Sequence, residues 1–134
     1  MVLHFKQTIM NVEKEFLPYE QALELKELGF DEECFATYEF GKIHINEFKN
    51  DCSYELCLKT EVFPTPTFSQ AFRWFREKYG YYPLIEMNEQ FKKWLSRFCN
   101  IDGSICAIGV HSTYEEAEIS CLNNLIEIVK NRQS

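Results

Sequence analysis

Apolar residues recur along this chain in two rhythms, one of helical and one of strand period. Between residues 67 and 80, Phe68, Ala71, Phe72, Phe75 and Tyr79 fall within roughly 80° of one another at about 100° per residue, which predicts a helix with a core-facing stripe. A second helix is predicted from Pro18 to Leu28, stopped by Gly29, with Phe30 beyond it as the hydrophobic contact of a glycine C-cap. A third is predicted from Ser112 or Thr113 to about Val129, carrying Tyr114, Ala117, Cys121, Leu122, Leu125, Ile128 and Val129 on one face. Glu118 points into that face. The three helices open alike: Pro or Thr, an aromatic residue, Glu or Gln two positions later, then Ala. Pro suits a first helical position, and Thr67 with Gln70, or Thr113 with Glu116, has the spacing of a capping box.

Strand rhythm occupies the stretches between. Ile43-His44-Ile45 and Tyr54 to Lys59 alternate at period two, with Gly41 and Asn50-Asp51 as turn markers, so a three-stranded meander is predicted from Cys34 to Phe63, closed by Pro64 and Pro66. Tyr82 to Met87 reads as another strand. Residues 88–99 fit two patterns. Phe91, Trp94, Leu95 and Phe98 have helical spacing, whereas Asp102-Gly103 followed by apolar Ile105 to Val110 favours a hairpin. The resulting expectation is one α+β domain over residues 1–134, three helices packed on an antiparallel sheet of about five or six strands.

Composition narrows the function classes. The chain has 134 residues, 46% hydrophobic and 16% aromatic, which is too apolar for a disordered segment. No apolar run approaches the ~18 residues of a membrane span, and Met-Val-Leu-His-Phe-Lys-Gln lacks the pattern of a secretory signal. A cytoplasmic protein with reduced thiols and no membrane partner is expected. Its six cysteines and three histidines show no metal-ligand spacing, so no metal and no cofactor is predicted. A phosphate loop, a nucleophile elbow and a zinc-protease motif are all missing, which argues against an enzyme and names no catalytic residue.

The formal charge of −7 disfavours general nucleic-acid binding, but it is unevenly spread. Residues 13–33 carry eight acidic and two basic side chains, and residues 68–98 carry three acidic and six basic ones. The basic stretch holds the candidate binding residues Arg73, Trp74, Arg76 and Arg97. Trp74 lies on the shoulder of the helical stripe beside Lys78, where it either covers the edge of the sheet or stands out as an anchor for a partner. His111, just before the last helix, is read as a loop residue or an anion contact at that helix's N-terminus.

Three blocks, Glu15 to Glu32, Pro66 to Lys78 and Thr113 to Lys130, resemble small uncharacterised proteins common in bacteriophages and in gut bacteria that carry prophages. The resemblance covers under half of the chain and transfers no catalytic residues. It implies a phage or mobile-element origin and a protein that sequesters or docks on a host protein or a small anionic ligand, as in counter-defence, with self-association also compatible. The alternatives are a single-stranded nucleic-acid-binding module using residues 68–98 and a small nucleotide- or sugar-directed enzyme.

Overall fold

The computed structural model describes residues 12–45 and 62–133. Its packing divides the chain into two compact units, Met1–Phe68 and Ser69–Ser134.

In the first unit, helix α1 (Tyr19–Glu27) follows Pro18, which takes the N-cap rather than the first helical position, with no side-chain cap. Gly29, at φ 104°, ends the helix as the sequence predicts. The Gly29 N–H donates to Lys26 O at 3.0 Å and the Phe30 N–H to Leu25 O at 2.9 Å, the paired bonds of a Schellman motif. Phe30 and Leu25, the pair this motif brings together, are both buried. Strands β1 (Ala36–Glu39) and β2 (Lys42–Ile45) form a hairpin whose two turn residues, Phe40 at φ 50° and Gly41 at φ 84°, have the left-handed backbone of a type I′ turn.

Strand β3 (Val62–Thr65) pairs with the other edge of β1, giving the antiparallel order β2-β1-β3. Pro64 lies inside β3, opposite Thr37, instead of closing the strand. An edge strand tolerates a residue that has no N–H to donate. Beside it, the Leu17 N–H donates to Pro66 O, and the Phe68 N–H to Glu15 O, at 3.0 and 3.2 Å. The inner face holds Ala36, Tyr38, Phe63 and Thr65. Tyr19, Tyr38 and Phe63 form a triangle of rings with centroids 5.3 to 5.8 Å apart. The Tyr38 hydroxyl donates to Leu17 O at 3.0 Å. The predicted strand over Tyr54 to Lys59 lies outside the described residues.

Helix α2 (Phe68–Tyr79) leads into the second unit and ends at Gly80, at φ 74°. Strands β4 (Tyr82–Asn88), β5 (Lys93–Cys99) and β6 (Ile105–His111) follow as an antiparallel meander, and helix α3 (Tyr114–Gln133) packs against all three. Residues 93–99 are therefore strand. The helical spacing of Phe91, Trp94, Leu95 and Phe98 loses to turn chemistry on both sides. Asn88 Oδ1 accepts the N–H groups of Gln90 and Phe91, and Asp102 accepts from Ser104 with Gly103 at φ 85°.

At the start of α3, Thr113 Oγ1 accepts the Glu116 N–H at 3.1 Å. The Glu116 carboxylate reaches back to the N–H of Ser112, one residue before the cap, at 3.3 Å. The buried face of α3 holds Ala117, Cys121, Leu122, Leu125, Ile126 and Val129, whereas the predicted Tyr114 is exposed and Ile128 half-buried, and the helix runs past Val129 to Gln133.

The architecture is α+β, with three named helices and six strands among the described residues. Those strands form two sheets of three, whereas a single sheet of five or six was the expectation. No helix among the described residues is long and apolar enough to cross a membrane.

Candidate functional site

Helix α2 fixes the first group of candidate residues. Ala71 and Phe75 are fully buried, and Phe68 nearly so, while Phe72 and Tyr79 are half-buried. The buried side is thus rotated from the predicted stripe toward Trp74, which is only 5% exposed. Its indole meets Phe75 and Tyr79 edge-on at centroid distances of 5.0 and 5.4 Å, and Lys78 Nζ lies 5.0 Å over the ring. A long, flat side chain on the shoulder of a helix folds back toward the core and takes its cationic neighbour as a lid. Trp74 is therefore a packing residue in this structure, and it offers no outward anchor or stacking platform.

Arg73 and Arg76 occupy the opposite side and are exposed. Residues three apart on a helix are surface neighbours. Among the described residues no ion pair joins either guanidinium to a carboxylate. The end of α2 is tied to the end of α3 by Arg132, which lies 5.9 and 5.7 Å over the Tyr79 and Tyr81 rings and donates to the Tyr81 hydroxyl at 3.0 Å. Gln133 donates to the Tyr79 hydroxyl at 3.4 Å. Cations at the last turns of both helices also complement their dipoles.

Arg97 stands apart from this pair, on the central strand β5. Its Nη2 meets Glu86 Oε1 of β4 at 3.4 Å, and its buried Nε finds no acceptor among the described residues. Arg97 faces away from α3, because the alternate residues Ser96 and Phe98 are buried and Trp94 meets Tyr114 of α3 edge-on at 5.1 Å. Its cross-strand neighbours Leu84 and Ile108 share that outer face. Both are exposed, as are Tyr82, Ile105 and Val110 on the neighbouring rows. These apolar surface residues were not predicted as a site. Their signal was the lack of alternation along Ile105 to Val110, which reads as an interior strand by pattern alone.

His111 is the last residue of β6, not a loop residue. Its Nε2 lies 3.2 Å from the hydroxyl of buried Ser96, across the strand pair. Gly109 makes this contact feasible: a Cβ there would come within 2.6 Å of His111 Nε2 and 3.0 Å of Ser96 Oγ. With Ser96 only 1% exposed, this pair closes the inner face of the sheet and presents no nucleophile to a substrate. The Cys121 thiol, under the same sheet, approaches Arg97 O at 3.8 Å, and burial pushes it up to about 12, against the opposing effect of a backbone hydrogen bond. Such a thiol is inert at neutral pH. Glu118 is half-buried and engaged. No group of three His, Cys, Asp or Glu side chains among the described residues could hold a metal ion.

Of the four candidate residues, the fold places Arg73 and Arg76 together on one exposed helical side. It buries Trp74 behind them and sets Arg97 on a separate, largely apolar sheet face. Comparison of the chain with protein-family models, curated proteins and solved structures returns no match.

Proposed function

We propose that this is a non-catalytic binding protein, of the phage or prophage type its sequence resembles, that acts in the cytoplasm by docking on an acidic surface of a host protein or on a small anionic ligand. The observation that supports this reading is the pair Arg73 and Arg76, exposed, one helical turn apart and without a carboxylate partner among the described residues of a chain whose net charge is −7. Two guanidiniums without a carboxylate partner among the described residues keep their donors available for another acceptor. Planar guanidiniums suit carboxylate and phosphate oxygens, which they grip with two parallel N–H groups. The helix is held on its other side by Ala71, Trp74 and Phe75, so the backbone is already ordered and the ordering cost of binding falls on the two arginine side chains.

The test compares the tagged full-length chain with an Arg73→Glu/Arg76→Glu variant in two assays. Capture from bacterial lysate is quantified by mass spectrometry, and thermal shift is measured against a panel of nucleotides and sugar phosphates. A partner or ligand held by the wild type should be lost by about tenfold or more, the scale of a lost charge-assisted contact. The melting temperature without ligand should stay unchanged. Identical capture and identical shifts for both proteins would rule the reading out.

A further inference from the structure

We infer that the outer face of the β4-β5-β6 sheet is an interface between two copies of this chain related by a twofold axis. This rests on a different surface from the arginine pair of α2 and stands or falls separately.

Cross-strand register arranges the face in rows. Tyr82, Cys99 and Ile105 form one row, Leu84, Arg97 and Ile108 the next, and Glu86, Leu95 and Val110 the third. Five of these residues are large, apolar and exposed: Tyr82 at 42%, Leu84 at 42%, Ile105 at 51%, Ile108 at 60% and Val110 at 61%. Scattered single apolar residues on a surface need no explanation, but contiguous rows on one sheet face mark an interaction site.

Charge identifies the occupant. The middle of the face carries one cation and one anion, Arg97 and Glu86, in adjacent rows and 3.4 Å apart. Both side chains remain partly exposed, at 35% and 45%. Arginine has five N–H donors and a carboxylate accepts several, so one contact between them leaves capacity on both groups. The other charged side chain on this face, Lys93, lies at its end in the row of Asn88 and donates to Ser112 Oγ at 3.2 Å, so the centre of the face presents no net charge to select a strongly acidic or basic partner. A second copy turned through a twofold axis sets its Glu86 against Arg97 and its Arg97 against Glu86, and surrounds both pairs with matching apolar rows. The neutrality also matters in a chain of charge −7, because this face allows two copies to approach without bringing like charges together.

Size sets the strength. Three strands about 4.8 Å apart and seven residues of about 3.4 Å each give a face of roughly 14 by 23 Å, and two such faces stack about 10 Å apart. Its projected area of roughly 320 Å² is well below the about 800 Å² of accessible surface per partner that is standard for stable complexes, which places the contact among weak, transient ones. The dimer is therefore concentration-dependent.

Sedimentation equilibrium of the full chain from about 5 µM to about 1 mM tests the inference, with dissociation constants across that range corresponding to weak but specific association. The wild type should pass from monomer to dimer within it. Ile108→Lys, at a position exposed enough to leave the fold unchanged by circular dichroism, should raise the dissociation constant about tenfold or more. Arg97→Glu and Glu86→Arg should each do the same alone, since each makes the face like-charged. Mixing the two variants in equal amounts should restore association, because the heterodimer regains opposite charges. That recovery separates a contact between copies from the pair within one chain. A wild type that stays monomeric throughout, a dimer indifferent to Ile108→Lys, or a mixture that fails to recover would each overturn the proposal. If Arg97→Glu does not fold, the Ile108→Lys comparison decides alone.

Discussion

In the β2-β1-β3 sheet, β1 alternates strictly between buried and half-buried residues, and its inner side chains meet Tyr19 of α1 and Phe63 of β3 in one aromatic cluster. In the β4-β5-β6 sheet the strands are longer, and their apolar residues fall on both faces, yet α3 covers only the face of Phe98 and Ser96. The first sheet has an apolar side matched to the cover it receives. The second has apolar surface in excess, collected in rows with one ion pair at their centre. The difference teaches that a non-alternating apolar strand need not be interior: it can be buried on one side by its own chain and reserved on the other.

The largest expected effect tests the covered face. Phe98→Ala should destabilise the protein by about 3–5 kcal/mol in urea unfolding, as removal of a fully packed ring does. A loss close to that of a surface substitution would mean that α3 does not seal this face.

A second prediction contrasts the two sheets by pH. Burial, aided by the Glu13 charge, raises the Tyr38 hydroxyl above its ordinary value of 10.0, and burial raises the Cys121 thiol from 9.0 to about 12. In both cases the unfolded chain loses its proton first, so it binds fewer protons than the folded one. Stability contributed by the neutral groups is complete below the ordinary values and is lost as pH rises. The decline should begin near pH 9 from Cys121 under the second sheet, by at most ~1.4 kcal/mol per pH unit, and be joined near pH 10 by Tyr38 under the first. Urea midpoints measured from pH 8 to 11 should show a shallower decline for Cys121→Ala, and an equal slope would refute the assignment.

Thr113→Ala, which removes the cap of the helix that covers the second sheet, should cost about 1 kcal/mol. Equal thermal unfolding of the two proteins would show that the cap is dispensable. At the small end, Ile108→Lys should change monomer stability by no more than about 0.5 kcal/mol. A large loss there would show that the outer face is structural, and would dissolve the contrast between the two faces.

Local chemistry made much of this architecture legible. Gly29 and Phe30 announce the end of α1, Asp102-Gly103 announces the β5-β6 hairpin, and Thr113 with Glu116 announces the start of α3. What pattern alone could not supply was partition: which strands share a sheet depends on contacts between distant residues, and no single window of sequence contains them. The candidate site shows the same limit. Exposure of Arg73 and Arg76 follows from helical angle, because they lie away from the stripe. Trp74 sits on the shoulder, where side-chain length and the Lys78 contact decide burial, and those depend on three-dimensional packing. Arg97 is conspicuous in the sequence for its charge alone, and only strand register reveals its apolar neighbours.

The slot at Gly109 has a consequence for how such a sequence can drift. Because a methyl group there would meet His111 Nε2 at 2.6 Å and press on the Ser96 hydroxyl at 3.0 Å, the imidazole would have to move aside, which links three positions on two strands. A relative that carries Ala at the glycine position should carry a shorter or redirected side chain in place of the histidine. Substitutions at positions 109 and 111 should therefore arrive together, as covariation of two neighbours on one strand.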